Sequence, residues 1–225
     1  MNKGTVVLTD EIVKRHLTIT DVITRVEDTY RWYGNGKVVM PSKITTDMSE
    51  LGLPNWINAM PAYVQPCKAL GIKWAGGFTY NPQHGMRYIR AYVLLNDPET
   101  GELLALIDGD WISDMRTGAQ TAVAAKYLAV KAPRVVAIIG AGIQGMATAR
   151  CLNEQYEVSE IRISDINPAA VKNFADRLQK VIAPPIKVSV SNEETVKGAD
   201  IIVTATAADA ALVKEEWVKP GALVS

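Results

Sequence analysis

Val135-Val136-Ala137-Ile138-Ile139-Gly140-Ala141-Gly142-Ile143-Gln144-Gly145 decides the fold. Five apolar residues run directly into Gly-x-Gly-x-x-Gly. Met146-Ala147-Thr148-Ala149-Arg150-Cys151-Leu152 then continues with helical character. A buried strand, a glycine turn and a helix, in that order, are what a dinucleotide pyrophosphate needs. Gly140 permits the tight turn, Gly142 lets backbone N–H groups approach the phosphates, and Gly145 allows the helix to pack on the strand. The helix N-terminus offers unpaired N–H groups and partial positive charge to the anion.

The same spacing occurs in glycine-rich turns of other α/β proteins, so its surroundings matter. Ile161-Arg162-Ile163-Ser164 reads as a second strand ending at Asp165, twenty residues after Gly145. A carboxylate there accepts hydrogen bonds from the adenosine ribose hydroxyls and repels a 2′-phosphate, which favours NAD over NADP. Ile166-Asn167-Pro168 follows, with no cation to receive that phosphate.

Composition narrows the class. The 225 residues carry 24 Lys and Arg against 24 Asp and Glu, interspersed, with neither a basic nucleic-acid footprint nor a polybasic membrane contact. Cys67 and Cys151 are far apart and read as ordinary thiols of a reducing compartment. His16 and His84 are too isolated for a metal cluster. The start, Met1-Asn2-Lys3-Gly4-Thr5, leads into a short strand rather than a signal-peptide core, and no apolar run approaches the ~18 residues of a membrane helix. The expectation is a soluble, cytoplasmic α/β protein.

Outward from the glycine turn, three units are expected. Residues 1–114 read as an α+β domain distinct from the nucleotide-binding one, to which only the family resemblance given below assigns substrate binding and dimerisation. It opens with a strand at Thr5-Val6-Val7-Leu8, a helix capped by Thr9-Asp10, and a second helix from Thr20-Asp21 to Gly34. Strands follow over Val38–Ile44, Trp56–Tyr63, Ala69–Gly76, Ile89–Leu95 and Leu103–Ile107, with Asn81-Pro82 and Asn96–Glu102 as turns. Residues 115–133 form a connecting helix, opened by Trp111-Ile112-Ser113-Asp114 with Ser113 or Asp114 as cap and running to about Lys131. Residues 134–225 form a Rossmann-type NAD-binding domain with further strands at Ile186–Val190, Ile201–Thr206 and Ala222–Ser225, and a helix begun by Asn167 and Pro168. The last strand is apolar and ends without a polar tail, so a C-terminally truncated chain is expected, with the nucleotide-binding domain incomplete and, as the resemblance given below implies, the first domain incomplete as well.

Three cations stand out. Lys73 interrupts an apolar strand, Arg116 sits in Met115-Arg116-Thr117-Gly118-Ala119-Gln120 at the predicted first turn of the long helix, and Lys43 follows Met40-Pro41-Ser42. Each is either a solvated surface charge or a holder of an anion. A cation at a helix N-terminus opposes the dipole, so Arg116 makes more sense holding an external carboxylate or pyrophosphate. His16 reads as a surface residue. Trp56, Trp74 and Trp111 read as packing rather than as a stacking platform.

The chain resembles the ornithine cyclodeaminase/μ-crystallin family over essentially its whole length. The resemblance is carried by Met60-Pro61-Ala62-Tyr63, Gly71-Ile72-Lys73, Asn81-Pro82, Leu95–Gly101, Met115-Arg116-Thr117-Gly118-Ala119, Ile139–Gly145, Thr204-Ala205-Thr206 and Pro220-Gly221. It implies that Lys73 contacts the substrate carboxylate and that Arg116 lies between that carboxylate and the cofactor. It implies that Thr117 and Gly118 bring backbone N–H groups near the pyrophosphate. Gly140, Gly142, Ile143, Gln144 and Gly145 would form the turn over the phosphates, with Asp165 the ribose acid, Thr206 beside the cofactor and Val224 approaching the nicotinamide. Lys43 stands where the family usually has arginine, and a lysine neutralises a carboxylate without gripping it bidentately. The family's catalytic aspartate would fall beyond Ser225, so no catalytic residue is assigned.

The resemblance implies an NAD-dependent enzyme exchanging hydride at the α-carbon of an amino acid or ketimine, with cyclodeamination, dehydrogenation and imine reduction as outcomes, and a homodimer as the assembly. Its other implication is a non-catalytic dinucleotide- or small-ligand-binding protein, or an inactive fragment. Arg87 and Arg90, in the Thr79–Arg90 segment, suggest a substrate with an extra acidic substituent.

Overall fold

The structure is a computed structural model that describes residues 4–130 and 132–225. Lys131, the expected helix end, and the first three residues of the chain lie outside the described residues. In chain order the elements are β1 (Val6–Leu8), α1 (Asp10–His16), α2 (Ile19–Gly34), β2 (Val38–Val39), β3 (Ile44–Asp47), β4 (Asn55–Val64), β5 (Ala69–Phe78), β6 (Ile89–Asn96), β7 (Leu103–Asp108) and α3 (Asp110–Leu128). Then come β8 (Val135–Ile139), α4 (Ile143–Gln155), β9 (Glu160–Ser164), α5 (Pro168–Leu178), β10 (Ile186–Val188), α6 (Asn192–Val196), β11 (Ile201–Thr204) and β12 (Leu223–Val224). Two compact units result. One comprises the chain up to Thr18 together with Glu27–Ser113, the other Ile19–Val26 together with Asp114–Ser225.

The first unit is built on a seven-stranded sheet in which β4, β5, β6 and β7 form an antiparallel meander and β1 joins β7 in parallel. Thr9 caps α1, its hydroxyl accepting from the Ile12 N–H. The strand expected over 38–44 is two strands. Pro41 has no N–H for a ladder, and the chain breaks around it, so that β2 pairs with Tyr63–Val64 and β3 with Trp56–Ala59. Directly opposed residues share a face. Register therefore puts Thr45, Asn58, Met60, Lys73 and Val93 on one face, and Ala59, Trp74, Tyr92 and Leu106 on the other.

The second unit is a parallel sheet of order β10-β9-β8-β11-β12. Its central strands are continuous apolar runs because both faces are covered. Val136, Ile138, Ile161, Ile163, Ile201 and Ile202 are fully buried, as are Phe174 and Leu178 from α5. Each such side chain contributes roughly 1.5–3 kcal/mol relative to exposure. Asn167 caps α5, its side-chain oxygen accepting from the Ala169 and Ala170 N–H groups, and Pro168 begins the helix. Trp217 and Val218 pack on the cluster of Ala137, Ile139, Val196, Ala199 and Ile202.

Asp200 ties the N-terminal ends of these strands together. Its carboxylate accepts from the N–H groups of Arg134 and Val135, both at 2.8 Å, and from Lys219 Nζ at 2.6 Å. Burial alone would raise its pKa, but the Lys219 ammonium and the two N–H groups outweigh it and hold the carboxyl below its ordinary 3.8. A depressed carboxylate stabilises the fold above the unfolded-state pKa, and that contribution is lost as pH falls through the folded value. Asp200→Ala is expected to lower unfolding stability by about 1–3 kcal/mol at neutral pH. In urea titrations the deficit relative to the parent should shrink once the pH drops below that folded value.

Candidate functional site

The turn after β8 shows why its three glycines differ. Gly140 has φ +114, and a Cβ there would stand 2.4 Å from the Ala205 carbonyl oxygen. At Gly145 a Cβ would meet the Gly140 carbonyl oxygen at 2.3 Å and Ile138 Cγ2 at 3.1 Å. Both positions are glycine because the fold leaves no room. Gly142 is different. Its φ of −89 and ψ of −170 suit any residue, and a Cβ there would have nothing within 4 Å. The space in front of it, rather than the packing behind it, asks for glycine.

Gly142 is also the N-cap of α4 and provides no side-chain cap. The first N–H groups of α4, at Ile143, Gln144 and Gly145, therefore face the same open space without intrahelical partners. The Gln144 side-chain oxygen is buried and has no hydrogen-bond partner among the described residues. Asp165 closes the other side. One carboxylate oxygen accepts from the Ala141 N–H at 2.8 Å and the other from the Asn167 N–H at 2.9 Å. Thr206 follows β11, with its hydroxyl accepting from the Ala208 N–H and its methyl beside Gly140. Val224, on β12, is half exposed and pairs with Ile202. An open glycine, a bare helix N-terminus, an orphaned amide oxygen and an acid at the next strand end fit a dinucleotide with its pyrophosphate over α4.

The long helix departs from expectation. It begins at Asp110, so Ser113 and Asp114 lie inside it rather than capping it, and Arg116 falls in the second turn. The start is fixed from outside the helix. Asp108 accepts from the Asp110 N–H, Gly109 N–H bonds to the Ala91 carbonyl at 2.8 Å, and Ala91 N–H bonds to the Asp110 carboxylate at 2.6 Å. Arg116 therefore does not stand at the helix N-terminus where the sequence led one to expect it. It is an exposed residue three positions after Ser113. The backbone N–H groups of Thr117 and Gly118 are those of a helix interior and are engaged within α3. Thr117 is half-buried. Gly118 has another reason to be glycine, since a Cβ would meet the Ala147 carbonyl at 2.6 Å, where α3 lies against α4.

In the first unit, Lys73 is half-buried and its Nζ donates to Ser113 Oγ at 2.8 Å. On the same face, buried Asn58 accepts from Thr45 Oγ1 at 2.6 Å. Lys43 is exposed in the segment between β2 and β3. Sequence reading missed Ser113 and Asn58. Ser113 was masked by its plausibility as a cap, and Asn58 carried no signal until register put it on the face of Lys73.

Arg87 and Arg90 both turn toward Asp110. Their Nε atoms lie 3.7 and 3.1 Å from its Oδ2, and Arg90 also approaches Asp108 at 3.8 Å and the Tyr92 hydroxyl at 3.1 Å. The acid they meet is internal, which removes the ground for reading them as detectors of an acidic substrate. Cys151 is buried, donates to the Met115 carbonyl and has a thiol pushed up to about 12 by that burial, so it is no nucleophile. Among the described residues no cluster of His, Cys, Asp and Glu suits a metal ion, and no helix is long and apolar enough to cross a membrane.

A parallel sheet of this order with this turn defines a Rossmann-type α/β protein, here joined to a mixed-sheet unit. The chain belongs to the Ornithine cyclodeaminase/mu-crystallin family, whose family model matches residues 3–225. It is 33% identical over 217 residues to an alanine dehydrogenase of Archaeoglobus fulgidus, covering 96% of this chain and 65% of that protein. The chain thus spans just under two thirds of that relative's length. It also superposes on the Thermococcus litoralis Δ1-pyrroline-2-carboxylate reductase in complex with NADH and L-proline, with TM-score 0.93 and 32% identity over 98% of this chain and 68% of that one. An archaeal alanine dehydrogenase dimer with bound NAD gives TM-score 0.89 and 31% identity over 98% of this chain and 66% of that one.

The glycine geometry separates two kinds of substitution. Gly145→Ala and Gly118→Ala each force a Cβ into backbone and are expected to destabilise the protein by at least about 2 kcal/mol. Gly142→Ala should stay within about 1 kcal/mol of the parent. Urea unfolding of the three variants measures this.

Proposed function

We propose that the protein binds NAD and acts as an enzyme of amino-acid metabolism, exchanging hydride at the α-carbon of a small amino acid or its imine. The observation that carries this reading is the open space before Gly142, bounded by the unpaired N–H groups of α4 and by Asp165. A turn whose middle glycine is not needed for packing has room reserved for a ligand. Donors without partners make that ligand an anion. The bound NADH and NAD of the Thermococcus and archaeal relatives agree with this.

Each residue has a role in the proposal. Ile143, Gln144 and Gly145 donate backbone N–H bonds to the pyrophosphate, while Gly140 and Gly142 keep the approach clear. Asp165 accepts from the ribose hydroxyls. As a carboxylate it repels a 2′-phosphate, which is the reason for proposing NAD before NADP. Thr206 and Val224 line the path toward the nicotinamide. Arg116 serves both the substrate carboxylate and the cofactor, and Thr117 contributes through its hydroxyl. Lys73 provides the ammonium for the substrate carboxylate, and Lys43 adds a second positive charge. When bound, the nicotinamide ring supplies the hydride acceptor or donor.

The residues of this chain clamp an α-carboxylate and so fix the α-carbon for transfer. Loss of hydride from that carbon, with the nitrogen lone pair forming the C=N bond, gives an iminium. Hydrolysis of it is amino-acid dehydrogenation, internal attack with loss of ammonia followed by return of the hydride to the cyclic imine is cyclodeamination, and the reverse transfer is imine reduction. The names of the relatives, an alanine dehydrogenase and a pyrroline-carboxylate reductase, favour dehydrogenation or reduction of small substrates. A homodimer is part of the proposal. Trp74, Tyr92, Leu94 and Leu106 line an apolar depression on one sheet face, as a partner surface would.

The test is a titration of NAD and NADP into the full-length protein, followed through its five tryptophans. NAD should bind at least about tenfold more tightly than NADP, and Asp165→Asn should narrow the gap. Gly142→Ala should weaken NAD binding by about tenfold or more while leaving the fold intact. Equal affinity for both dinucleotides would remove Asp165 as the selector, and undiminished binding by Gly142→Ala would remove the carrying observation. Formation of NADH with L-alanine or L-proline separates an enzyme from a binding protein.

A further inference from the structure

A lysine that must place its ammonium against a substrate has four rotatable carbons with which to misplace it. Lys73 does not rely on its own stem. Its Nζ donates to Ser113 Oγ at 2.8 Å, and Ser113 is only 7% exposed. The Ser113 hydroxyl accepts a charged donor from a strand forty residues away.

The two ends of this contact are set by one strand. Lys73 lies directly opposite Val93 of β6 in the β5–β6 ladder. Ser113 lies three residues past Asp110, and Asp110 is fastened to Ala91 of β6, two residues from Val93. The fastening is unusually complete. Ala91 N–H donates to Asp110 Oδ1 at 2.6 Å, Ala91 carbonyl accepts from Gly109 N–H at 2.8 Å, and Arg90 Nε stands 3.1 Å from Asp110 Oδ2. Ser113 N–H then bonds to the Gly109 carbonyl at 2.8 Å, which carries the registration one turn up α3. At Gly109 a Cβ would crowd the Ala91 carbonyl oxygen at 3.2 Å. Hence β6 fixes both where the lysine starts and where its acceptor ends.

We propose that Ser113 is a positioning residue for Lys73, holding its ammonium in the place from which it meets the substrate carboxylate, and that the Asp110–Ala91–Arg90 clasp sets Ser113. This rests on the reading of Lys73 as the carboxylate's partner. It gives Arg90 and Arg87 a task in the protein's own scaffold: their guanidinium groups pair with Asp110 and hold it in place. Ser113 acts through Lys73 and not on the substrate, so its loss alters carboxylate binding more than the hydride step.

The experiment uses the full-length protein with L-alanine, L-proline and pyruvate plus ammonia as probes, measuring KM and kcat with NAD or NADH, and NAD affinity separately by tryptophan fluorescence. Ser113→Ala should raise KM by about tenfold and lower kcat by less than about threefold, with NAD affinity unchanged. Ser113→Thr retains the hydroxyl and should restore KM to within about twofold of the parent. In a Lys73→Ala background Ser113→Ala should add nothing, because the group it positions is gone. Parent-like kinetics for Ser113→Ala, or an equal loss with and without Lys73, would overturn the proposal while leaving Lys73 in its role. A Lys73→Ala variant with unchanged KM would overturn the role of Lys73 itself. Turnover of none of the probes by the parent would overturn the reading of an α-carboxylate site, and this assignment with it.

Discussion

Backbone pressed against backbone, with no Cβ between, is the constraint on which the nucleotide-binding unit depends. Gly145 lies against the Gly140 carbonyl, Gly140 against Ala205, and Gly118 against Ala147. These contacts bring α4 down onto β8, close the turn beside β11, and bring α3 onto α4. Close approach of this kind has no graded alternative. A single methyl group at 2.3–2.6 Å from a carbonyl oxygen must move an entire element. The apolar strands β8, β9 and β11 can tolerate exchanges of similar volume, whereas these three positions cannot. The position of the α4 N-terminus, and with it any anion it holds, follows from them.

The mixed-sheet unit solves a different problem, that of fixing a cation. Its strands β4, β5 and β6 are antiparallel and their side chains alternate around Lys73, so register alone decides which face Lys73 occupies. Register does not decide where the far end of a lysine goes. That is the work of Ser113, and Ser113 depends on the buried carboxylate of Asp110. A buried carboxylate is costly unless it is hydrogen-bonded and paired. Asp110 is both, through the Ala91 N–H and the Arg90 guanidinium.

How much of this was legible in the sequence follows from the range of the interactions. The strand, glycine turn and helix at 135–155 are local, and so is the cap of Asn167 and Pro168 on α5. Their signals sit within a few residues, and the structure has them in place. The family resemblance was legible for the same reason, since its motifs are short. The start of α3 was not, because Asp110 begins the helix through a bond to Ala91, nineteen residues earlier. From the sequence, Ser113 and Asp114 are equally good caps. The break at Pro41 was written in the sequence and passed over, because the apolar residues on either side made one strand the simpler reading. Arg87 and Arg90 looked available for an outside acid, and nothing local announces that Asp110 faces them.

The glycine motif itself shows where sequence stops and structure begins. Its three glycines are equivalent as letters, and the spacing treats them as one signal. In the fold, two are required by packing and would remain glycine in a protein that bound nothing. Only Gly142, with an unstrained backbone and empty space before it, has no internal reason. A residue kept small without a packing cause points to something outside the chain, and the unpartnered N–H groups beside it give that something its charge. The distinction rests on this chain's own geometry and does not borrow from its relatives. The fold and the ligand therefore make separable demands on a single glycine motif between β8 and α4.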